Sequence, residues 1–294
     1  MTQKVAFVFP GQGSQSVGML GELAERYALV MQTYQEASDA LGFDLWEMVA
    51  NGPDTDLNQT HNTQPALLAA GVAVWRVWQE EEGILPVMMA GHSLGEYSTL
   101  VGAGAIAFAD AIRLVAERGR LMQEAVPEGT GAMAAILGLE DQAVIDVCTQ
   151  SAGDQVVQAV NFNSPGQVVI AGHREAVARA VDAAKEAGAR RAVELPVSVP
   201  SHCDLMRPAA EKLAEQLRGV AIQAPSIPVL HNASVTTESD PDIIRQRLVE
   251  QLYSPVRWVE TIEAMKQQGV EHVVEAGPGK VLTGLMRRID RQLD

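Results

Sequence analysis

The chain has 294 residues, 47% of them apolar, which suits one large domain, or a large domain carrying an insertion, and excludes a disordered or fibrous chain. Its 22 Lys and Arg against 37 Asp and Glu leave a formal charge of -15, which repels phosphate backbones and anionic membranes and argues against nucleic-acid or membrane partners. Two cysteines, Cys148 and Cys203, and six scattered histidines support neither a disulfide framework nor a spaced zinc site, so a reducing, cytoplasmic setting is expected and no metal is.

The first element is a strand over Val5 to Phe9, apolar and β-branched or aromatic in character. It ends at Pro10-Gly11, too short for a signal-peptide core, and no stretch approaches the ~20 apolar residues of a membrane span. Helical periodicity follows over about 20–40 and 64–81, then a short strand over 87–90 and a helix over 109–125. Short apolar runs alternating with helices predict an α/β domain with a parallel sheet. Residues 128–199 follow another order: strand 133–137, helix 141–151, strands 156–162 and 167–171 around the turn Asn163-Ser164-Pro165-Gly166, helix 174–187 and strand 191–195. That β-α-β-β-α-β order is ferredoxin-like, so a small inserted domain is expected at 128–199 within a larger one over 1–127 and 200–294. The larger part resumes with a helix near 245–252 and a strand over 270–275.

Gly91-His92-Ser93-Leu94-Gly95 lies between a strand and a helix, the context in which G-x-S-x-G forms a nucleophile elbow. Ser93 would be the nucleophile, and the backbone N–H of Leu94 would face a developing oxyanion; the bland alternative is an ordinary glycine-rich turn. Serine attack needs a base, and histidine, with an ordinary pKa of about 6.5, is the usual one. His202, in Pro200-Ser201-His202-Cys203, lies on a loop that could return to Ser93, and it ranks ahead of His92, which sits within the elbow itself. His61 and His173 lie in polar or turn-like sequence, His231 stands beside Asn232, and His272 opens an apolar run; these read as structural or exposed. No acid falls in the Ser-Asp-His order of ordinary α/β-hydrolases, and Asp204 is too near His202 to be an obvious partner, which leaves a backbone or amide carbonyl as an option.

The turn Pro10-Gly11-Gln12-Gly13-Ser14-Gln15 ends the first strand, where ligands of open α/β sheets bind. It lacks the features of a phosphate loop and reads either as a bare tight turn or as a source of N–H groups for an oxyanion hole. Arg118 falls within the apolar stripe of Ala111, Leu114, Val115, Met122 and Ala125, with Arg113 and Arg120 on the opposite face. A guanidinium directed inward needs an anion, either a structural carboxylate or one on a substrate.

Together, Pro10–Gln15, Gly91-His92-Ser93-Leu94-Gly95-Glu96, Arg118 and Pro200-Ser201-His202 resemble malonyl-coenzyme A:acyl carrier protein transacylases of type II fatty acid synthesis. Further matches run over Asn161–Gln167, Gln251–Trp258 and Glu275–Lys280, so the resemblance spans nearly the whole chain. It implies an α/β-hydrolase-like large domain with a ferredoxin-like insert, and transfer of malonyl from malonyl-coenzyme A to the thiol of acyl carrier protein with no bound cofactor. It further implies Ser93 as nucleophile, His202 as base, Gln251 orienting His202 through a carbonyl, Gln12 and Leu94 as the oxyanion hole, and Arg118 on the malonyl carboxylate, with Asn163 taken as a second substrate-binding residue. Ser201 stands where many malonyl-selecting modular polyketide acyltransferases carry Phe, as it does in the discrete fatty-acid enzymes, so a stand-alone polyketide acyltransferase stays an alternative. A serine thioesterase would use the same nucleophile and base with water as acceptor, and a catalytically silent carrier-binding module would keep the fold without the chemistry; the anion-selecting Arg118 and the intact Ser93 and His202 argue against these two.

Overall fold

Strand β1 (Val5–Phe9) is buried along its whole length, and its alternating side chains feed two different cores. In the computed structural model, which describes residues 4–197 and 199–293, the chain runs from β1 into helices α1 (Gly21–Arg26), α2 (Ala28–Leu41), α3 (Leu45–Asn51), α4 (Asp54–Leu57) and α5 (Thr60–Glu80). Positions 1–3, 198 and 294 of the expected domains lie outside the described residues. Strand β2 (Met88–Gly91) leads into α6 (Gly95–Gly102) and α7 (Phe108–Ala125). A second group follows: β3 (Gly131–Leu137), α8 (Asp141–Ala152), β4 (Val157–Ser164), β5 (Gln167–His173), α9 (Arg174–Glu186) and β6 (Arg191–Glu194). The chain then returns through α10 (Arg207–Arg218), β7 (Val229–Leu230), α11 (Pro241–Gln251), α12 (Trp258–Gln267), β8 (His272–Glu275) and α13 (Val281–Ile289).

The strands form two separate four-stranded sheets. In the first, ordered β7-β2-β1-β8, every pair is parallel, with Phe9 opposite Gly91 and Val8 opposite Glu275. A parallel sheet needs both faces covered, and the alternation in β1 shows how that is met. Phe7 and Phe9 point into the larger core, where Phe7 meets Trp75 and Trp78 edge-on at 5.1 Å each, while Ala6 and Val8 point into a smaller core with Trp258, Ile262 and Leu282. The second sheet, ordered β4-β5-β3-β6, is antiparallel throughout, and α8 and α9 supply the apolar side chains packed on it. The α/β class and the parallel sheet agree with the sequence reading.

Some details differ from it. The helical stretch expected over 20–40 is broken at Tyr27, whose φ of -126° and ψ of 107° are extended. The break separates α1, which buries none of its residues, from α2, which buries Val30, Tyr34 and Ala37. The four-residue turn expected at 163–166 is tighter, because β4 runs through Ser164 and β5 resumes at Gln167, so Asn163 is a strand residue. His61 is on α5 rather than in a turn, though exposed. The sequence reading did not anticipate α3, α4, α10, α12 or α13; α3 carries a legible start, since the Asp44 side chain accepts the Glu47 N–H at 2.9 Å.

Candidate active site

The site forms at the C-terminal ends of the parallel strands, where the turn after β2 meets the turn after β1. Ser93 sits between β2 and α6 with φ at +51°, a conformation an L-residue adopts only when its surroundings hold it there. The glycines beside it are required by contact: a Cβ on Gly91 would stand 1.9 Å from the backbone carbon of Gly95, and one on Gly95 would stand 2.0 Å from the Phe9 carbonyl oxygen. The β1 turn presses equally close, since a Cβ on Gly11 would meet the His92 carbonyl oxygen at 2.4 Å. Asn232, just beyond β7, clamps the elbow by accepting the Ser93 N–H at 2.7 Å and donating to the Gly91 carbonyl at 2.6 Å.

His202 arrives from the loop that follows β6, 109 residues from Ser93, and its Nε2 lies 2.7 Å from Ser93 Oγ. Its Nδ1 lies 2.7 Å from the main-chain carbonyl oxygen of Gln251 at the end of α11. A carbonyl can only accept, so Nδ1 carries the proton and Nε2 presents its lone pair to the serine hydroxyl. Burial, reinforced by the nearby Arg118 charge, pushes the His202 pKa down to about 3, so the ring is neutral at neutral pH. His92 is directed elsewhere, with Nε2 2.8 Å from Asn163 Oδ1 and its ring packed near Trp258.

Arg118 projects inward from α7 and is 1% exposed. Among the described residues no carboxylate lies within ion-pair distance of it; Nη1 donates to Gln64 Oε1 at 2.8 Å and Nη2 to Gln251 Oε1 at 2.9 Å, with Ser93 Oγ 3.4 Å from Nη2. Among the described residues its buried Nε has no partner, and its guanidinium lies 5.3 Å from the Tyr97 ring centre. The fork is held by neutral amides while its charge is left uncompensated by direct contact. Arg113 and Arg120, by contrast, form exposed pairs with Asp110, Glu117 and Glu124.

These groups surround one cavity of about 210 Å³. Gln12, Ser93, Leu94, Arg118, Asn163 and His202 all line it, while Met122, Met133, Val169 and Leu195 give it an apolar wall. Met133, Asn163 and Val169 come from the antiparallel sheet, so the cavity lies between the two sheets. The N–H groups of Gln12 and Leu94 have no described acceptor, and Leu94 immediately precedes α6, where helix N–H groups are free to bind an anion. Among the described residues no group of three His, Cys, Asp or Glu side chains is placed to hold a metal ion, and no helix is long and apolar enough to cross a membrane.

The sequence reading missed a buried network behind the elbow. Glu96 is completely buried and accepts from His231 Nδ1 at 2.7 Å, Asn232 N–H at 3.0 Å and Gln251 Nε2 at 2.9 Å. Gln251 Nε2 also donates to the Ser93 carbonyl at 2.9 Å, so its side chain joins Glu96, the elbow and Arg118 while its main chain meets His202. His231-Asn232 after an apolar run was the available signal; its pairing with Glu96, 135 residues away, was not legible.

The chain is similar to known proteins along nearly its whole length. A family model described as the acyl transferase domain matches residues 6–292. The malonyl CoA-acyl carrier protein transacylase of Salmonella typhimurium is 62% identical over 289 residues, covering 98% of this chain and 93% of that protein. A crystal structure of an acyl carrier protein S-malonyltransferase from Vibrio cholerae superposes with a TM-score of 0.98 at 61% identity, covering 99% of this chain and 95% of that one. A malonyl-transacylase solved in complex with a type II polyketide synthase acyl-carrier protein is similar at a TM-score of 0.98 and 59% identity, covering 99% and 94%.

Proposed function

This chain belongs to the acyl transferase domain family, and from that premise we propose that it transfers malonyl from malonyl-coenzyme A to the phosphopantetheine thiol of an acyl carrier protein through a malonyl ester of Ser93. The observation that carries the reading is Arg118, a buried guanidinium without a carboxylate partner in the same cavity as the Ser93–His202 pair. An acyl group ending in a carboxylate supplies the missing anion.

The cycle has two balanced halves. His202 Nε2 takes the Ser93 proton as Oγ attacks the thioester carbonyl carbon, and the N–H groups of Gln12 and Leu94 receive the developing oxyanion. Collapse expels the coenzyme A sulfur, which leaves with the proton from His202, and malonyl remains esterified to Ser93. The carrier thiol then gives its proton to His202 and attacks the ester, and Ser93 leaves with that proton. The Gln251 carbonyl on Nδ1 stabilises the imidazolium in both halves. Every electron pair comes from a substrate or a side chain, so the cycle calls on no bound cofactor. Binding of the malonyl carboxylate also offsets the Arg118 charge that depresses His202, so the correct substrate strengthens its own base.

The architecture belongs to the same reading: an α/β-hydrolase-like catalytic part over 1–127 and 200–294 and a ferredoxin-like insert over 128–199. The insert reading is supported by the position of β5 between β3 and β4, and of β3 between β5 and β6, the split βαβ arrangement. Two free, buried cysteines support a cytoplasmic setting. The deciding experiment loads the protein with radiolabelled malonyl-coenzyme A and then adds either holo-carrier or water alone. Label passing from Ser93 to the carrier is the expected result; rapid loss to water identifies a hydrolase, and absence of labelling a silent binding module.

A further inference from the structure

Glu96 is a fully buried carboxylate that the cycle above does not use. It accepts from His231 Nδ1 at 2.7 Å, the Asn232 N–H at 3.0 Å and Gln251 Nε2 at 2.9 Å, and among the described residues no lysine or arginine reaches it. Arg118 is the mirror case, a buried guanidinium that no carboxylate reaches. Burying either charge with nothing to balance it is costly, so the two have to be considered together.

The His231 ring decides whether Glu96 is already neutralised. Nδ1 faces the carboxylate, while Nε2 is buried and has no hydrogen-bond partner among the described residues. An imidazolium would carry a proton on Nε2 and leave a buried donor unsatisfied, whereas the neutral ring with its proton on Nδ1 leaves only a lone pair, the milder of the two. His231 therefore gives Glu96 a hydrogen bond and no charge. Gln251 stands between the remaining charges: its Nε2 donates to Glu96 Oε2, and its Oε1, on the same amide, accepts from Arg118 Nη2 at 2.9 Å. The Ser93 carbonyl, accepting from that Nε2 at 2.9 Å, fixes which way round the amide sits.

We propose that Glu96 is the counter-charge of Arg118, held one amide away so that the guanidinium is balanced in the free enzyme yet open to a substrate carboxylate. The inference rests on the transacylase reading above and deepens it. A carboxylate in direct contact would occupy the fork that malonyl needs, and one out of reach would leave Arg118 buried without compensation. At one remove, Glu96 favours the guanidinium and repels the incoming carboxylate, so it limits how tightly malonyl is held. Acetyl, which has no charge, does not feel it. Burial lowers the Arg118 pKa, and the Glu96 charge acts against that shift.

The test measures dissociation constants by calorimetry in a Ser93→Ala background, where donors bind without reacting. Glu96→Gln keeps an oxygen for Asn232 and Gln251 and turns its amide nitrogen to His231 Nδ1, which accepts once the ring proton moves to Nε2. With the repulsion gone, malonyl-coenzyme A should bind about twofold to fifteenfold more tightly, the range for two charges on the order of 10 Å apart at an effective dielectric of about 20 to 80, with acetyl-coenzyme A little changed. Weaker binding of malonyl, or an equal change for both donors, overturns the assignment, because a merely structural Glu96 moves both donors together. Glu96→Asp, which keeps the charge, and His231→Asn, which keeps a donor and carries none, should both leave the malonyl-to-acetyl ratio as it stands. A shifted ratio in either overturns the proposal even if Glu96→Gln does not fold. Failure of wild-type Ser93 to take label from malonyl-coenzyme A removes the transacylase reading, whereas labelling with a ratio that Glu96→Gln does not move removes only the role of Glu96.

Discussion

Replacing Arg118 with alanine removes the one buried guanidinium that lines the acyl cavity and leaves the Ser93–His202 pair in place. Two of its five N–H donors are given to the amides of Gln64 and Gln251, and Nε has no partner, so donors remain for a carboxylate. A hydrogen bond to a charged group contributes about 1.5 to 3 kcal/mol, which at ~1.4 kcal/mol per decade is roughly a 10- to 150-fold loss in kcat/KM for malonyl-coenzyme A. Acetyl-coenzyme A has no carboxylate to lose and should be spared or improved. The substitution also acts on the base. Burial is the larger cause of the low His202 pKa and the Arg118 charge the next, so removing that charge, and admitting water where the side chain stood, both move the pKa upward from about 3. The neutral base is the active form, so activity on acetyl-coenzyme A should fall off at a higher pH in the variant than in the wild type. Paired kcat/KM values for both donors across acidic and neutral pH measure the two effects. A fall by the same factor for both donors, with an unmoved acid limb, would refute the carboxylate role and leave Arg118 as a packing element.

Ser93→Ala should abolish acylation with little loss of stability, and peptide mapping that finds malonyl on another residue of the wild type would remove the assignment. His202→Ala should cost several orders of magnitude in the acylation rate measured by single-turnover labelling, because deprotonation of Ser93 and protonation of the leaving sulfur both depend on it. Gln251→Ala should cost less than His202→Ala, since the carbonyl on Nδ1 survives, yet it should weaken malonyl use more than acetyl use because Arg118 loses an acceptor; paired kcat/KM values check this. Arg190 and Arg191 line a separate cavity of about 470 Å³ with Arg288, and reversing the charge of the first two should raise the KM of an acidic carrier more than that of malonyl-coenzyme A at low salt. Lys280 is not among the residues lining that cavity.

Features that depend on neighbouring residues were legible in the sequence. Gly91 and Gly95 announce the elbow because the backbones they touch lie within the same turn or on the adjacent strand, and the periodicity of α7 alone turns Arg118 inward. The β-α-β-β-α-β order of 131–194 was readable for the same reason, since strand and helix periods are local. What the sequence by itself left open were pairings between distant segments. Sequence reasoning ranked His202 first among six histidines, but only the fold brings its Nε2 to Ser93 and sets the Gln251 carbonyl on its Nδ1. It could not choose between an ion pair and an open site for Arg118, because the choice turns on whether a carboxylate from another element reaches the guanidinium; Glu96 instead meets it through the Gln251 amide. The burial of Glu96 is likewise a property of where separate elements come to rest, for hydrogen-bond satisfaction and desolvation are decided by the packed surroundings rather than by the residues alongside in the chain.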